Sequence, residues 1–310
     1  MSVRRTMPVL AALAVFGAGC ADTGGLSLSA DDQLAAPGQT VRVVTRIARR
    51  GWNRWFPPAS PPPLRIYRNN ELLAEHHPAI GSWEFVTDVT LDTVGEHAID
   101  AIYQPKVKSR PLHATCYAYC WDASRVAVAV DFDRVVNHST RTRRFFAETP
   151  FGEVRDEAGA VLSALAGEFF ICYLTEHPAE LKDDIRAWLR KNELPPGPII
   201  TWHRGRRMRL DPGDQAEVLR QLQSQVPTLL VGIGDGQDDL AAFAANRMFA
   251  VLIEFGRSVR AAPDVPRCRT WREAWALFSL PANRPILTDP KQMLELHHRG
   301  GDYVKLGGAQ

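Results

Sequence analysis

Carboxylates and a hydroxyl stand at the ends of three apolar runs in this 310-residue chain. In chain order these residues are Asp131, Asp133, Thr175, Asp235 and Asp239. A carboxylate can attack phosphorus or transfer a proton, and carboxylate oxygens are ligands that suit Mg²⁺. Because an aspartate after a strand is often only a helix cap, the chemistry depends on whether the fold brings all five together.

The elements that must position these residues are predicted from the rhythm of the chain after residue 126. Apolar runs alternate there with amphipathic stretches. The predicted strands span 126–130, 169–174, 199–202, 228–233 and 249–253, and the predicted helices span 156–165, 179–191, 212–223, 238–245 and 271–278. This alternation predicts parallel βαβ units in a doubly wound, Rossmann-like α/β sheet. Ligand sites in such sheets lie at the carboxyl ends of the strands, where the five residues would meet.

The order and spacing of these residues resemble the haloacid dehalogenase superfamily of phosphotransferases. The positions that match its first, second and fourth motifs are Asp131, Asp133 and Val135, then Thr175, then Gly234, Asp235 and Asp239. The resemblance covers residues 127–278. It implies a phosphoric monoester hydrolase.

Within that superfamily, the segment YLTEHPAELKDDIRAWLRKNELPPGPII is similar to the second-motif block of lipin-like phosphatidate phosphatase domains. The stretches 136–168 and 201–212 are too short for a large cap domain, so we expect a capless site that is open to bulky or membrane-borne substrates. The resemblance implies a phosphomonoester substrate, with a phospholipid such as phosphatidate as one candidate.

The resemblance also implies a catalytic role for three of the residues. Asp131 would be the nucleophile that forms an aspartyl-phosphate. Asp133 lies two residues further along an extended segment and would protonate the leaving oxygen. Thr175 would donate a hydrogen bond to a phosphate oxygen, beside a helix that starts near Pro178.

Mg²⁺ is the implied cofactor, because it would let two anions, nucleophile and phosphate, approach each other. Its expected ligands are Asp131, Asp235 and the backbone carbonyl of Asp133, with Asp239 or Asp238 close by.

Two positions depart from the family pattern. Arg134 stands where the family usually has glycine at a tight turn, so the turn must differ or be strained. The family's third-motif lysine is missing: the expected place falls near Asp214 or Gln215, and there is no lysine between Lys191 and Lys291.

Arginines could supply the missing positive charge. The candidates for a phosphate contact are Arg134 and the basic segment WHRGRRMRL, which includes Arg209. The same segment could instead be a solvated basic loop or a contact for anionic lipid headgroups. His138 and His177 flank the site region and are expected to be polar loop residues.

The chain before residue 126 has a different character. Residues 37–108 alternate apolar and polar positions and predict a small antiparallel β-sandwich. Its segment LDTVGEHAIDAIY resembles the penultimate-strand corner of immunoglobulin-like sandwiches, which implies an immunoglobulin-like domain. We expect a linker at 109–125, the phosphatase-like domain at 126–280 and, at 281–310, a C-terminal tail or a final docking segment. Cys116 and Cys120 lie in the predicted linker, either as a local disulfide or as two unpaired thiols.

Residues 1–20 have the pattern of a secretory signal, with early arginines, a short apolar run and small residues before Cys20. A cysteine at that place resembles a bacterial lipoprotein signal, in which Cys20 would be lipidated; plain secretion is the alternative. We expect a periplasm-facing lipoprotein of the cell envelope, or otherwise a periplasmic or secreted protein. Residues 21–36 are expected to be a tether.

The net charge of +2 gives no nucleic-acid signature, and we expect a monomer that binds a phosphorylated small molecule or a phospholipid. Three functions stay open. They are a lipid-anchored Mg²⁺-dependent phosphatase, a degenerate member that binds phosphate or metal without turnover, and an interaction protein whose β-sandwich carries the function.

Overall fold

The structure is a computed structural model. It describes residues 26–49, 63–77, 84–105, 110–138, 151–177, 181–201, 212–256, 259 and 265–301. The predicted signal sequence with Cys20, the start of the helix near Pro178 and the basic segment with Arg209 lie outside the described residues.

The described N-terminal residues form two β-sheets that share one apolar core. The strands are β1 Leu26–Ala30, β2 Gln33–Ala35, β3 Gln39–Arg49, β4 Leu64–Arg68, β5 Glu71–His76, β6 Glu84–Leu91, β7 Gly95–Tyr103 and β8 Leu112–Cys120. Their order is β1-β3-β6 in one sheet and β2-β8-β7-β4-β5 in the other. Strict alternation in β6 buries Phe85, Thr87, Val89 and Leu91 and exposes the residues between them, as expected for sheets that are solvated on one face. An all-β region is therefore present before the α/β region.

Two predicted boundaries of this region are wrong. Strands β1 and β2 lie within the predicted tether 21–36, and β8 lies within the predicted linker 109–125. The inward-facing residues of β8 are small, namely Ala114, Cys116, Ala118 and Cys120. Small residues give a weak apolar signal, although they pack well where another strand or sheet approaches closely.

The proposed local disulfide is also wrong, because Cys116 and Cys120 are both free and buried. Four residues apart on one strand, they lie on the same face with Cα atoms about 13 Å apart, well beyond the reach of a disulfide. Burial raises the pKa of the Cys116 thiol to about 12, which leaves it unreactive.

The chain after residue 126 forms the predicted parallel α/β sheet. Its strands are β9 Ala127–Asp131, β10 Phe170–Thr175, β11 Ile199–Thr201, β12 Leu229–Gly234, β13 Phe249–Ile253 and β14 Arg267–Cys268. Its helices include α1 Ala158–Ala166, α2 Lys182–Lys191, α3 Pro212–Gln225, α4 Gln237–Ala245 and α5 Trp271–Ser279. The strand order is β11-β10-β9-β12-β13-β14, with parallel pairing throughout the described strands.

Strand β9 is buried on both faces at the centre of this sheet. Val128 and Val130 face a core that includes residues of α1, α2 and α5. Ala127 and Ala129 face a second core that includes residues of α3 and α4. Because helices cover both faces, the strand reads as one continuous apolar run rather than as an alternating pattern.

The β-sandwich completes the second of these cores. Leu34, Tyr119 and Trp121 belong to the same apolar cluster as residues of β10, β11 and α3. The Trp121 ring stacks on Phe170 of β10, with centroids 4.8 Å apart and planes 5° apart. The sandwich therefore covers the β10–β11 side of the sheet, on the same face as α3.

A buried ion pair network fixes this contact. Asp32, between β1 and β2, lies 3.0 Å from Lys182 Nζ and 2.7 Å from Arg186 Nη2, both on α2. Its carboxylate also accepts hydrogen bonds from the backbone N–H groups of Tyr117 and Ile199, each at 3.0 Å. One carboxylate thus joins β8 of the sandwich to α2 and β11 of the α/β region.

Of the two alternatives for residues 281–310, the described part is a docking segment. It contains the helices α6 Arg284–Leu287 and α7 Pro290–His298, and Leu287 and Met293 are fully buried in the first core. Among the described helices, none is both long and apolar enough to cross a membrane.

We predict that Asp32→Asn lowers the free energy of unfolding by about 3 kcal/mol or more, because it leaves two buried cations without their counter-charge. Burial alone would raise the pKa of Asp32, but Lys182, Arg186 and the hydrogen bonds lower it. This stabilisation should therefore be present near neutral pH and be lost as the pH falls through the lowered pKa. Urea unfolding at pH 7 measures the effect.

The matched control is Asp88→Asn, because Asp88 lies 3.7 Å from Arg42 on the exposed face of the sandwich. We expect this change to stay within about 0.5 kcal/mol. Equal effects of the two substitutions would contradict the role given to Asp32.

Candidate functional site

The candidate site lies where the strand order reverses, between β9 and β12. From β9 the chain continues outward to β10 and β11, and from β12 it continues the other way to β13 and β14. The loops that leave the two central strands therefore diverge and open a crevice. Asp131 ends β9, and Asp235 follows β12 directly, so the crevice has a carboxylate on each side.

Three carboxylates converge in this crevice. One oxygen from each of Asp131, Asp235 and Asp239 lies within 4.8 Å of the others. The three residues are only 5%, 2% and 6% exposed. A buried group of hard oxygen donors fits a Mg²⁺-type cation, which would relieve the mutual repulsion of the carboxylates.

The start of α4 explains why Asp239 joins the cluster. Asp239 is the third residue of this helix, and its Oδ2 accepts hydrogen bonds from the backbone N–H groups of Asp235 and Gly236, each at 3.1 Å. A Cβ on Gly234 would lie 2.5 Å from the Asp239 Cβ, so glycine is required there. Of the two candidates from the sequence, Asp239 is therefore the residue in the cluster, and Asp238 is exposed.

The side chain of Asp133 does not join the metal cluster. Its Oδ2 instead accepts hydrogen bonds from the Thr175 hydroxyl and from Glu176 N, each at 2.9 Å. The backbone N–H of Asp133 donates to Asp131 Oδ1 at 3.0 Å. The hydroxyl of Thr175, expected on a phosphate oxygen, here holds Asp133.

His177 is a site residue that the sequence reasoning missed. Rather than a polar loop residue, it is 3% exposed, and its Nε2 lies 3.1 Å from Asp133 Oδ1. Its ring packs edge-on against Phe151, with centroids 5.2 Å apart. The available signal was its place two residues after Thr175 at a strand end.

The turn Phe132–Val136 directly follows β9 and places Arg134 in a left-handed position. Arg134 adopts φ 73° and ψ −22°, a left-handed conformation that costs a non-glycine residue roughly 1–2 kcal/mol. Hydrogen bonds surround it: Arg155 Nε donates to the Arg134 carbonyl at 2.9 Å, and Arg134 N donates to Asn137 Oδ1 at 3.3 Å. Of the two sequence-based alternatives, the structure therefore has the strained turn.

The side chain of Arg134 turns back into the crevice. Its Nη2 lies 3.0 Å from Asp235 Oδ1. The guanidinium thus brings positive charge to the carboxylate cluster from the side of β9.

Gln215, on α3, lies at the expected place of the missing lysine. It is buried, and its Nε2 donates to Asp239 Oδ1 at 3.0 Å. A neutral amide therefore donates one hydrogen bond to the cluster and brings no positive charge from this side.

Burial and like charges shift the acidity of the cluster. Burial, followed by the charges of Asp239, Asp133 and Asp235, raises the pKa of Asp131 well above its usual range, and Arg134 only partly opposes this. Burial also raises the pKa of Asp239 to about 6, although the hydrogen bond from Gln215 acts in the opposite direction. Without a cation, the cluster therefore favours protonation.

No family model and no curated protein matches the chain. Solved structures give distant likenesses. A cobalt-bound deoxy-D-mannose-octulosonate 8-phosphate phosphatase (YrbI) from Haemophilus influenzae is 15% identical with a TM-score of 0.33, over 57% of this chain and 96% of that one. Fibronectin(III)-like modules of CbhA from Clostridium thermocellum are 9% identical with a TM-score of 0.22, over 31% and 96%. A CARDB domain from Pyrococcus furiosus, in complex with di-metal ions, is 16% identical with a TM-score of 0.22, over 31% and 85%. These scores are too low to support any statement about function.

We predict that Mg²⁺ stabilises the protein more at pH 8 than at pH 5. The raised pKa values mean that the metal-free folded state binds more protons than the unfolded state, so its stability falls as the pH rises through about 6. Mg²⁺ at about 100 times its dissociation constant should add about 2.7 kcal/mol, or roughly 5–10 °C in Tm, at pH 8. Protons compete with the metal at pH 5 and should remove most of that shift.

Thermal unfolding with Mg²⁺ or with EDTA at the two pH values measures this difference. Asp235→Asn should abolish the shift at pH 8, and Asp88→Asn should keep it. A shift that is independent of pH, or that persists in Asp235→Asn, would contradict a metal centre here.

Proposed function

We propose that this protein is a Mg²⁺-dependent phosphatase that hydrolyses phosphomonoesters through an aspartyl-phosphate, as a capless member of the haloacid dehalogenase superfamily. The observation that carries the proposal is the convergence of Asp131, Asp235 and Asp239, with Asp133 held two residues beyond Asp131. An interaction protein without chemistry has no need to bury like charges at the crevice of its sheet.

In the first step, a carboxylate oxygen of Asp131 attacks phosphorus. A new O–P bond forms, the bond from phosphorus to the ester oxygen breaks, and Asp133 gives its proton to the departing oxygen. In the second step, Asp133 takes a proton from water as the water attacks phosphorus. The bond to Asp131 then breaks, and inorganic phosphate leaves.

Asp131 and Asp235 would each provide a carboxylate oxygen to the metal, and Asp133 would provide its backbone carbonyl. Asp239 lies close enough to offer a further carboxylate oxygen, and it also holds the backbone of Asp235 in place. When bound, Mg²⁺ would keep Asp131 ionised and let an anionic phosphate approach it. In this proposal Thr175 sets the orientation of Asp133 and lies beside the phosphate.

Arg134 is proposed as the cation that replaces the missing lysine. It is the charged donor that the described residues bring to this cluster, since Gln215 is neutral. Guanidinium binds phosphate through two parallel hydrogen bonds, so a swing from Asp235 to the substrate keeps its donors satisfied. Arg209 is a second proposed phosphate contact.

We also propose a phospholipid such as phosphatidate as a substrate, with lipidated Cys20 holding the protein on a membrane of the bacterial cell envelope. The similarity of the second-motif block to lipin-like domains supports the substrate class, and the cysteine after small residues supports the anchor. We further propose that the protein is a monomer that does not bind nucleic acid.

We predict Mg²⁺-dependent release of inorganic phosphate by protein lacking residues 1–20, from 4-nitrophenyl phosphate and from phosphatidate in detergent. Asp131→Asn should lower the rate by roughly 10³-fold or more, because it removes the nucleophile. Asp88→Asn serves as the control and should keep the wild-type rate. Release that survives EDTA or Asp131→Asn would contradict the mechanism, and no release by folded, Mg²⁺-bound protein would favour a binding role without turnover.

We predict that Arg134→Gln lowers kcat/KM for 4-nitrophenyl phosphate by about 10–100-fold, because a charged donor to the transferring phosphoryl group is lost. Arg134→Lys should retain part of the activity. Adding Gln215→Lys to Arg134→Gln should recover activity, because an ammonium then reaches the cluster from α3. An unchanged kcat/KM in Arg134→Gln would show that the cation comes from elsewhere.

A further inference from the structure

We infer that His177 is a positioning residue that holds the Asp133 carboxyl in the orientation from which it protonates the leaving group. The inference rests on the proposed phosphatase function and adds to it a residue outside the motifs that support that function. The contacts that carry it come from the end of β10, the turn after β9, Phe151 and α2.

The carboxyl of Asp133 is held at both oxygens. Thr175 and Glu176 N occupy Oδ2, and His177 Nε2 lies 3.1 Å from Oδ1. A carboxyl group with protein contacts at only one of its two oxygens could rotate about its Cβ–Cγ bond. An imidazole nitrogen 3.1 Å from the other oxygen restricts this rotation, so protein groups lie against both oxygens of the carboxyl before substrate arrives.

The His177 ring is itself fixed. Its backbone N–H donates to the Thr175 hydroxyl at 3.0 Å, so the same hydroxyl links the histidine to Asp133. The ring lies edge-on to Phe151 and at 66° to Phe132, with centroids 5.2 and 6.5 Å away. Trp188 of α2 packs against both phenylalanines, with its ring centroid 5.4 Å from that of Phe132 and 6.5 Å from that of Phe151. Apolar rings on these sides leave the Asp133 carboxyl, 3.1 Å from Nε2, as the polar group beside the imidazole.

The proton transfer explains why such a hold is useful. When Asp133 gives up its proton, a new carboxylate forms in a site from which water is largely excluded. In the tautomer that carries a proton on Nε2, His177 can donate to that carboxylate without becoming charged. A group placed in advance where charge develops costs no reorganisation during the reaction.

The leaving group provides the test, because only poor leaving groups depend strongly on a positioned acid. Departure of an alkoxide needs a proton, whereas 4-nitrophenolate leaves readily without one. A change in the position of Asp133 should therefore affect kcat/KM for an alkyl phosphate and largely spare 4-nitrophenyl phosphate. Loss of folded protein would affect the two esters equally.

We would measure kcat/KM for glycerol 1-phosphate and for 4-nitrophenyl phosphate in the wild type and in His177→Phe. The expected loss is about 10–100-fold for glycerol 1-phosphate and less than about threefold for 4-nitrophenyl phosphate. His177→Asn, whose amide can donate, should recover part of the loss and covers the case in which the phenylalanine variant does not fold. His298→Phe removes an exposed histidine from the end of helix α7 and is the matched control.

Equal losses for the two esters, or no loss in either variant, would overturn the role of His177 while leaving the phosphatase function in place. A wild-type protein that is folded and Mg²⁺-bound but hydrolyses neither ester would instead overturn the proposed function, and the positioning role with it.

Discussion

The repulsion among the buried carboxylates at the β9–β12 crevice is the interaction on which the rest of the site depends. The carboxylates of Asp131, Asp235 and Asp239 lie close enough to share one cation. Burial removes the water that would screen their negative charges from one another. The surrounding groups are those that reduce this cost. Backbone N–H groups at the start of α4, the amide of Gln215 and the guanidinium of Arg134 each direct a donor at the cluster. A divalent cation bound there would complete the compensation.

The strained turn is understandable as part of the same balance. A glycine at position 134 would relax the backbone, but it would carry no charge to Asp235. The chain instead keeps the left-handed conformation with an arginine, and hydrogen bonds from Arg155 and to Asn137 hold the turn in place. With a neutral Gln215 on the opposite side, the positive charge beside the cluster comes from the turn after β9 and not from α3. Backbone strain is thus accepted where the electrostatic need is greatest.

The sequence predicted the central strands of the parallel sheet. Strands β9, β10, β12 and β13 were found within a residue or two because doubly covered strands are continuous apolar runs. Strands β1, β2 and β8 were missed because most of the residues that they bury are small, such as Ala30, Ala35, Cys116, Ala118 and Cys120, and small residues give a weak apolar signal. The aspartates were found from their spacing. His177 was not, because its burial depends on Phe151, which approaches from a segment 26 positions earlier. Packing of this kind leaves no local pattern.

The shared core of the sandwich and the α/β sheet limits how this protein could be taken apart. Asp32 faces Lys182 and Arg186 across 150 residues of chain, and Trp121 covers Phe170. A recombination event that exchanged the sandwich for another module would leave two buried cations without their counter-charge. It would also expose an apolar face of the α/β region. The two halves are therefore expected to be inherited together. During synthesis, the first half would also have to wait, with its carboxylate unmatched, until helix α2 had left the ribosome.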